Sequence, residues 1–344
     1  MVYIRGKKNT EAYIPRDRRE KGQVKRSMYG MLSEVLTTNQ IGMLGIIVTF
    51  LVTFLALRFP LPFLPQDHGR EFAVNGALSR GKTRGVGLLF VICFLIGVVI
   101  FVPIDTEMII YGILLVCMML SGYLDDASDK PWSEYKKGLI DLVISVVTVV
   151  TFLNYNSPVI FFGSAQVEIP GIVYGILGII LIWVSVNVTN CSDGVDGLCA
   201  SLCIVVLIAF NVIFPEILGK YAVADFLFAA VLLAYLYFNS SPSSMLMGDA
   251  GSRALGFYIA IIAMKSQHPF LYLLIAAVLI VDGGLGLIKV FLLRFLKIGI
   301  LKNTRTPIHD HMRKNKGWSD AQVVMRFVIL QVLAAAVAYL IVQL

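Results

Sequence analysis

The chain has 344 residues, of which 58% are hydrophobic and 15% charged, and its formal net charge at pH 7 is +7. Soluble domains are about 45–50% apolar and about 25% charged. This composition therefore excludes an ordinary soluble domain and predicts an all-α, polytopic membrane protein. The surplus of Lys and Arg does not indicate nucleic-acid binding, because basic residues beside membrane spans set orientation and face lipid head groups.

Apolar segments long enough for membrane spans begin after a polar, basic stretch. Residues 1–38 are predicted to form a basic tail, and residues 39–344 a single transmembrane domain. A spanning helix needs about 20 apolar residues. This length predicts about ten spans, at 41–58, 86–103, 108–124, 138–154, 171–188, 198–214, 222–238, 254–267, 270–291 and 322–343. Glycines in "DGGLG" (282–286) predict a bend in the ninth span, and the segment 154–170 predicts a small β-hairpin.

The distribution of Lys and Arg among the loops predicts which side of the membrane each loop faces. Four of the five odd-numbered loops carry basic residues, whereas the even-numbered loops carry only Lys220 and Lys265. The odd loops are therefore expected in the cytoplasm, with both termini outside. The basic tail conflicts with this orientation, since it would place many Lys and Arg outside.

The five odd loops are also where polar residues collect. Their sequences are "SRGKTRGVG" (79–87), "LDDASDK" (124–130), "NVTNCSDGVDG" (187–197), "NSSPSSMLMGDAGSR" (239–253) and "TPIHDHMRKNKGW" (306–318). Turns prefer Gly, Asn and Asp, which would explain one such loop. The opposite loops lack the pattern, so five polar loops on one face predict an active site there.

Carboxylates are the most prominent groups in these loops. Asp125 and Asp126, at consecutive helical positions, should diverge by about 100°, which favours separate partners over joint chelation of one ion; an interfacial turn is the alternative. Asp193 and Asp196 would share one helical face, or else mark a Gly-rich helix start. Asp249 lies between small residues that leave room for a phosphate or a metal, although this motif alone is unspecific.

Two histidines complete the set. His309 and His311 are two apart, a spacing that favours an extended loop, where they would contact an anion or metal or remain solvated. Carboxylates within a basic surround suit a divalent cation that bridges phosphates, and hard oxygen ligands favour Mg²⁺. The sequence contains no P-loop and no GxGxxG motif, so a nucleotide would be held differently here.

Four ordered motifs resemble those of the polyprenyl-phosphate N-acetylhexosamine-1-phosphate transferases. They are "YLDD", "NVTNCSDGVDGL", "MGDAGSRALG" and "PIHDHMRKNKGW", the last followed by "VVMRF". Within that superfamily, the His motif with "KGW" is similar to the bacterial phospho-N-acetylmuramoyl-pentapeptide translocases. The resemblance implies ten spans in the bacterial cytoplasmic membrane, an active site at the cytoplasmic face, Mg²⁺ as cofactor, and a catalytic role for residues 39–344.

The same resemblance implies a reaction and its partners. Phospho-MurNAc-pentapeptide would pass from UDP-MurNAc-pentapeptide to undecaprenyl phosphate, a membrane lipid, and the products would be lipid I and UMP. The resemblance leaves open whether the chain forms a homodimer.

Roles for individual residues follow from the matched motif positions. The implied catalytic residues are Asp125 (the base toward the lipid phosphate), its neighbour Asp126, the Mg²⁺ ligand Asp249, and His309 and His311, at the outer positions of a triple-His motif. The implied substrate-binding residues are Asn190, Asp193 and Asp196 on the nucleotide side and Lys136 near the phosphates.

Several positions depart from the family pattern. "GKTRGVG" replaces the family's "TPTMGG", Asp310 stands at the middle His, and Leu246 stands where many members have a Phe against the uracil. A related GlcNAc-1-phosphate transferase and a secondary transporter remain as alternatives. A transporter should carry its charges in mid-span, whereas these lie in loops on one face.

Overall fold

A computed structural model of the chain describes residues 27–59, 62–67, 69, 79–128, 130, 132–162 and 165–343. The α-helices in these ranges are α1 (Met28–Ser33), α2 (Thr38–Arg58), α3 (Gly87–Phe101), α4 (Thr106–Asp126), α5 (Glu134–Tyr155), α6 (Gly171–Cys191), α7 (Leu198–Ile213), α8 (Pro215–Leu218), α9 (Lys220–Asn239), α10 (Gly248–Lys265), α11 (Tyr272–Ile275), α12 (Ala277–Phe291), α13 (Ile308–Lys316) and α14 (Asp320–Gln343). The β-strands are β1 (Thr83–Arg84), β2 (Val159–Phe162), β3 (Ala165–Glu168) and β4 (Met245–Leu246). A 3₁₀ turn (Pro269–Leu271) precedes α11, and a π-helical turn (Leu292–Leu296) follows α12.

Polar residues cap the long apolar helices. Thr37 and Gln40 form a reciprocal capping box at the start of α2. The Asp105 side chain accepts a hydrogen bond from the Met108 N–H at the start of α4, and Ser133 does the same for Lys136 at the start of α5. The first four N–H groups of a helix lack partners within it, so these caps fix where the apolar runs become helical.

The prediction of about ten spans is not confirmed, although every predicted segment coincides with helix. Within the described ranges, six single helices are long and apolar enough to cross a membrane: α2, α4, α5, α6, α9 and α14. The ninth segment is bent by 92° between α11 and α12 and makes a seventh if the two halves are one span. Helices α3 and α7 have only 15 and 16 residues, and α10 carries three charged residues. The chain is a multi-pass membrane protein.

Helix α10 occupies the centre of the bundle, buried at every position from Gly248 to Met264. It packs against α6 and α4 at distances that only glycine permits. A Cβ on Gly256 would lie 2.5 Å from the Ser185 carbonyl oxygen, and one on Gly122 would lie 2.3 Å from the Asp249 carbonyl oxygen. The second contact places the end of α4 directly against the start of α10.

Two short sheets join parts of the chain outside the helices. Strands β2 and β3 pair antiparallel, which confirms the hairpin predicted in the segment 154–170. Strands β1 and β4 pair in parallel, with Thr83 opposite Met245 and Arg84 opposite Leu246. This second pairing, which the sequence does not suggest, joins the loop at 79–87 to the loop at 239–253.

Most of the predicted basic tail, residues 1–26, lies outside the described residues. The remainder includes α1, whose N-cap Ser27 accepts a hydrogen bond from the Gly30 N–H.

Candidate functional site

The acidic pair at the end of α4 is divided between two sets of partners. Asp125 Oδ2 lies 2.5 Å from Lys137 Nζ, and Asp125 Oδ1 accepts a 2.7 Å hydrogen bond from the Trp132 N–H. Asp126 instead faces Arg84 and the start of α10. The predicted divergence of the two side chains is thereby confirmed.

Asp126, Asp249 and Arg84 form the densest charge cluster. Arg84 Nη2 lies 2.7 Å from Asp126 Oδ1 and 3.5 Å from Asp249 Oδ1, and the Asp249 N–H donates a 2.7 Å hydrogen bond to Asp126 Oδ2. Gly248 has φ +66°, and a Cβ there would lie 2.2 Å from Asp126 Oδ2, so glycine is required beside this carboxylate. Burial by itself would lower the pKa of Arg84, but the surrounding carboxylates raise it above its ordinary value.

The end of α6 reaches the same cluster through Asn190. Its Nδ2 donates to Asp249 Oδ2 at 3.3 Å, and its Oδ1 accepts from the Ser252 hydroxyl at 2.9 Å. Asp193 lies in the turn that follows, where its N–H donates to the Asn190 carbonyl at 3.2 Å. This part of the predicted nucleotide-side loop is therefore joined to the Asp249 helix start.

Asp196 lies further along that loop and faces the loop at 79–87 and the loop at 239–253. Asp196 Oδ2 accepts from the Ser243 N–H at 2.9 Å and lies 3.7 Å from Lys82 Nζ, which itself donates to the Ser243 hydroxyl at 2.9 Å. Three odd loops thus meet at one point. Both charged side chains remain about one-fifth exposed, 19% for Lys82 and 20% for Asp196, and so are accessible to a ligand.

The prediction that His309 and His311 lie in an extended loop is wrong, because both fall in the first turn of α13. Pro307 precedes that helix, a place where proline is well tolerated since a helix start needs no N–H there. His309 is buried, with its N–H and its Nδ1 each 2.8 Å from a different carboxylate oxygen of Asp282. A carboxylate at Nδ1 fixes the tautomer of the ring, leaving Nε2 for another partner.

The free side of His309 faces the nucleotide-side loop. A Cβ on Gly194 would lie 2.3 Å from His309 Nε2, so a larger residue would block the ring. Arg313 Nη1 also reaches this loop, donating to the Gly194 carbonyl at 3.4 Å. The loop at 187–197 and the loop at 306–318 therefore contact each other at Gly194.

Two further side chains of α13, His311 and Asp310, have partners of their own. His311 Nδ1 accepts from the Arg305 N–H at 3.3 Å. Asp310 Oδ1 lies 3.7 Å from Arg313 Nη1 and 4.0 Å from His309 Nε2. A carboxylate at the middle position of the motif therefore lies beside two basic groups, which offsets its repulsion of phosphates.

The two lysines at the start of α5 have different partners. Lys136 Nζ lies 3.2 Å from the centroid of the Trp132 ring, a cation–π contact. The ion pair with Asp125 is made by Lys137. Neighbouring helical positions point about 100° apart, so only one of the two lysines can reach this carboxylate.

Sequence reasoning missed Asp282 as well as Lys137, and it treated Lys82 and Arg84 only as basic character of the first loop. The signal for the two loop residues was present in "GKTRGVG", where two long cations stand among glycines. The signal for Asp282 was a carboxylate within the apolar ninth segment, which is costly without a function or partner.

The oxygen donors suit a magnesium ion shared with a substrate. Among the described residues, no group of three or more His, Cys, Asp or Glu side chains is arranged to hold a metal. Mg²⁺ is usually bound through one or two carboxylates together with substrate phosphates and water. Asp126 and Asp249, whose carboxylates share Arg84, supply that donor set.

Comparisons with known proteins agree with the motifs. Residues 108–267 match the family model described as Glycosyl transferase family 4. The phospho-N-acetylmuramoyl-pentapeptide-transferase of Treponema pallidum (strain Nichols) is 38% identical over 304 residues, covering 82% of this chain and 84% of that protein. The proteins of the same name from Oceanobacillus iheyensis and Dictyoglomus thermophilum are 29% and 27% identical, covering 85% and 83% of this chain and 95% and 93% of their own lengths.

Proposed function

Because the chain belongs to the phospho-N-acetylmuramoyl-pentapeptide-transferase family, we propose that it transfers phospho-MurNAc-pentapeptide from UDP-MurNAc-pentapeptide to undecaprenyl phosphate. The products are lipid I and UMP, in peptidoglycan synthesis. The observation that carries this proposal is the Asp126–Arg84–Asp249 cluster, which gathers opposite charges from three loops at one point. Phosphoryl transfer needs mainly such positioning and charge stabilisation.

The reaction exchanges one phosphorus–oxygen bond for another. An oxygen of the lipid phosphate attacks the phosphorus that carries the sugar, and the bond from that phosphorus to the bridging oxygen breaks. UMP departs with the bridging oxygen and the electron pair of the broken bond. Any proton on the attacking lipid phosphate passes to a base.

Asp125 is the proposed base, since it lies at the end of α4, at the depth where a lipid head group is expected. Lys137 Nζ lies 2.5 Å from its carboxylate and supplies a cation for the incoming lipid phosphate. Asp126, one residue later, belongs to the other side of the reaction, because it faces Arg84 and Asp249. The two carboxylates thus serve two reactants.

The diphosphate of the UDP-sugar is proposed to lie over the Asp126–Asp249 cluster. These two carboxylates would hold Mg²⁺, which when bound supplies charge neutralisation at the phosphate oxygens. His309 and Arg313 on α13 contact the nucleotide-side loop at Gly194, and His311 lies in the same turn of α13 as His309. Their donors stabilise charge that develops on the leaving UMP.

The nucleotide itself is assigned to the loop that follows α6. Asn190, Asp193 and Asp196 line it, and Lys82 lies 3.7 Å from Asp196. Leu246, on β4, stands where the family resemblance implies a Phe against the uracil, so packing on the base is aliphatic here.

We place the site at the cytoplasmic face of the bacterial cytoplasmic membrane. Support comes from the Lys and Arg of the odd loops, which bring Arg84, Lys137 and Arg313 to this end of the bundle. A soluble UDP-sugar would reach such a site directly, while the lipid acceptor arrives within the membrane.

The test is release of UMP by the full chain in detergent micelles with undecaprenyl phosphate and Mg²⁺. UDP-MurNAc-pentapeptide should be turned over, and UDP-GlcNAc, with the same nucleotide but no peptide, should be a poor donor. Asp249→Asn keeps the side-chain shape but removes its charge, and it should nearly abolish turnover at every Mg²⁺ concentration. Equal turnover of both donors would instead identify a GlcNAc-1-phosphate transferase, and full activity of Asp249→Asn would remove Asp249 from the metal ligands.

A further inference from the structure

Arg84 stands between the two carboxylates that are proposed to bind the metal. Its Nη2 lies 2.7 Å from Asp126 and 3.5 Å from Asp249, and its Nη1 lies 3.1 Å from Asp67. All three carboxylate side chains are largely buried, with exposed fractions of 2%, 12% and 5% respectively. A guanidinium therefore fills the position of a counter-cation in this structure.

The first loop holds Arg84 there through its backbone. Arg84 pairs with Leu246 across the β1–β4 sheet, and its N–H donates to the Pro65 carbonyl at 2.8 Å. Asp67 is fixed as well, since its N–H donates to the Lys82 carbonyl at 2.9 Å and its carboxylate accepts from the Ser79 hydroxyl. These backbone and side-chain contacts fix the position of the Arg84 guanidinium.

Charge counting shows what this arrangement does to a divalent cation. At their formal charges, three carboxylates and one guanidinium sum to −2, so the cluster still attracts Mg²⁺. Arg84, however, contacts one oxygen each of Asp126 and Asp249, the two carboxylates proposed to bind the metal. Its positive charge repels a second cation at the same point. The buried Arg84 Nε has no hydrogen-bond partner among the described residues, which leaves one donor unused.

We propose that Arg84 is the resident counter-ion of the metal site, and that it gives up the Asp126–Asp249 oxygens when a diphosphate arrives. With no substrate, Arg84 competes with the divalent cation and keeps its affinity low. With a diphosphate present, the guanidinium donates to phosphate oxygens, for which its planar fork is well suited. Asp67 anchors the side chain in both states. This inference rests on the proposed metal site at Asp249.

The experiment measures Mn²⁺ binding to the full chain in detergent by electron paramagnetic resonance, without nucleotide. Arg84→Gln removes the competing charge, so its Kd for Mn²⁺ should fall by about tenfold or more. Arg84→Lys keeps the charge and should stay near wild type. The matched control is Arg80→Gln, which removes the same charge from an exposed position of the same loop and should change the Kd little.

A second titration adds UDP-MurNAc-pentapeptide. The nucleotide should strengthen Mn²⁺ binding more in wild type than in Arg84→Gln, because only wild type gains the contact between the guanidinium and the phosphates. Both expected results together support the competing role of Arg84. An unchanged or higher Kd for Mn²⁺ in Arg84→Gln without nucleotide would overturn it.

Asp249→Asn separates this inference from the proposed function. If Asp249→Asn loses Mn²⁺ binding while Arg84→Gln behaves like wild type, the metal site stands and the role of Arg84 is wrong. If Asp249→Asn binds Mn²⁺ as wild type does, the metal assignment itself fails, and this inference fails with it.

Discussion

Lys137 forms an ion pair with Asp125, with 2.5 Å between Nζ and Oδ2, while Lys136 beside it lies over the Trp132 ring. The two lysines are neighbours in sequence but differ in surroundings. This makes them a matched pair for testing which side of α5 serves the reaction.

Lys137→Gln should lower kcat by about tenfold to a hundredfold, because Asp125 loses its charged partner and the lipid phosphate loses a cation. Lys136→Gln should change kcat by less than about threefold, since an exposed cation–π contact contributes only about 0.5–1 kcal/mol. Release of UMP at saturating donor measures both. Equal losses in the two variants would contradict the assignment of Lys137.

Asp282 is expected to position His309 rather than to contact substrate. Asp282→Asn should lower kcat by about tenfold or more, because the amide no longer fixes the imidazole tautomer through Nδ1. The KM for the UDP-sugar should change less than kcat, because Asp282 contacts His309 and not the substrate.

Asp282→Glu is the control, since it keeps the charge on a longer side chain. It should recover part of the kcat. A role limited to folding would instead lower the yield of folded Asp282→Asn while its kcat per folded molecule stays near wild type, and that result would exclude positioning through His309.

Gly122 controls the contact between α4 and α10. Gly122→Ala should destabilise the protein by about 1–3 kcal/mol or more, because its Cβ would lie 2.3 Å from the Asp249 carbonyl oxygen, a backbone atom with little freedom to move. Thermal unfolding in detergent would show a lower Tm, and turnover should fall as Asp249 shifts.

Gly138→Ala is the matched substitution on α5, where an added Cβ meets nothing within 4 Å. Alanine is favoured over glycine inside a helix by about 0.5–1 kcal/mol, so its Tm should be unchanged or slightly higher. A loss of Tm in both variants would mean that the close packing at Gly122 has no special role.

Orientation can be tested with single cysteines placed in a background lacking the five native cysteines. Ser128→Cys and Asn315→Cys should be protected from a membrane-impermeant maleimide in intact cells and should react after the cells are opened. Gln166→Cys, on the exposed strand β3 of the opposite hairpin, should react from outside. The reverse pattern would invert the topology.

Local features of the fold were predictable from sequence, whereas contacts between distant parts of the chain were not. The β2–β3 hairpin follows from a short-range pattern of apolar residues around a turn. The ninth segment does bend, but between α11 and α12 and not at the glycines of 282–286, which lie within α12. The number of spans stays a prediction, because α3 and α7 have only 15 and 16 residues and α10, enclosed by other helices, carries three charged residues.

The site shows the same limit. Asp126 and Asp249 were both singled out, but their contact joins positions 123 residues apart, which no local spacing reveals. Asp282 was overlooked because its glycine neighbours suggested only a bend, and its partner His309 lies 27 residues further along the chain. Local spacing also misled at His309, where a helix replaces the expected loop.

The parallel pairing of β1 with β4 sets the register of the first loop at Thr83 and Arg84. Side chains alternate sides along a strand, so one residue inserted just before Thr83 would turn the Arg84 guanidinium away from the carboxylates and present Thr83 in its place. Relatives of this chain can therefore exchange residue types in that loop more readily than they can change its length. Insertions should avoid the two segments that bond to each other, residues 65–67 and 79–84.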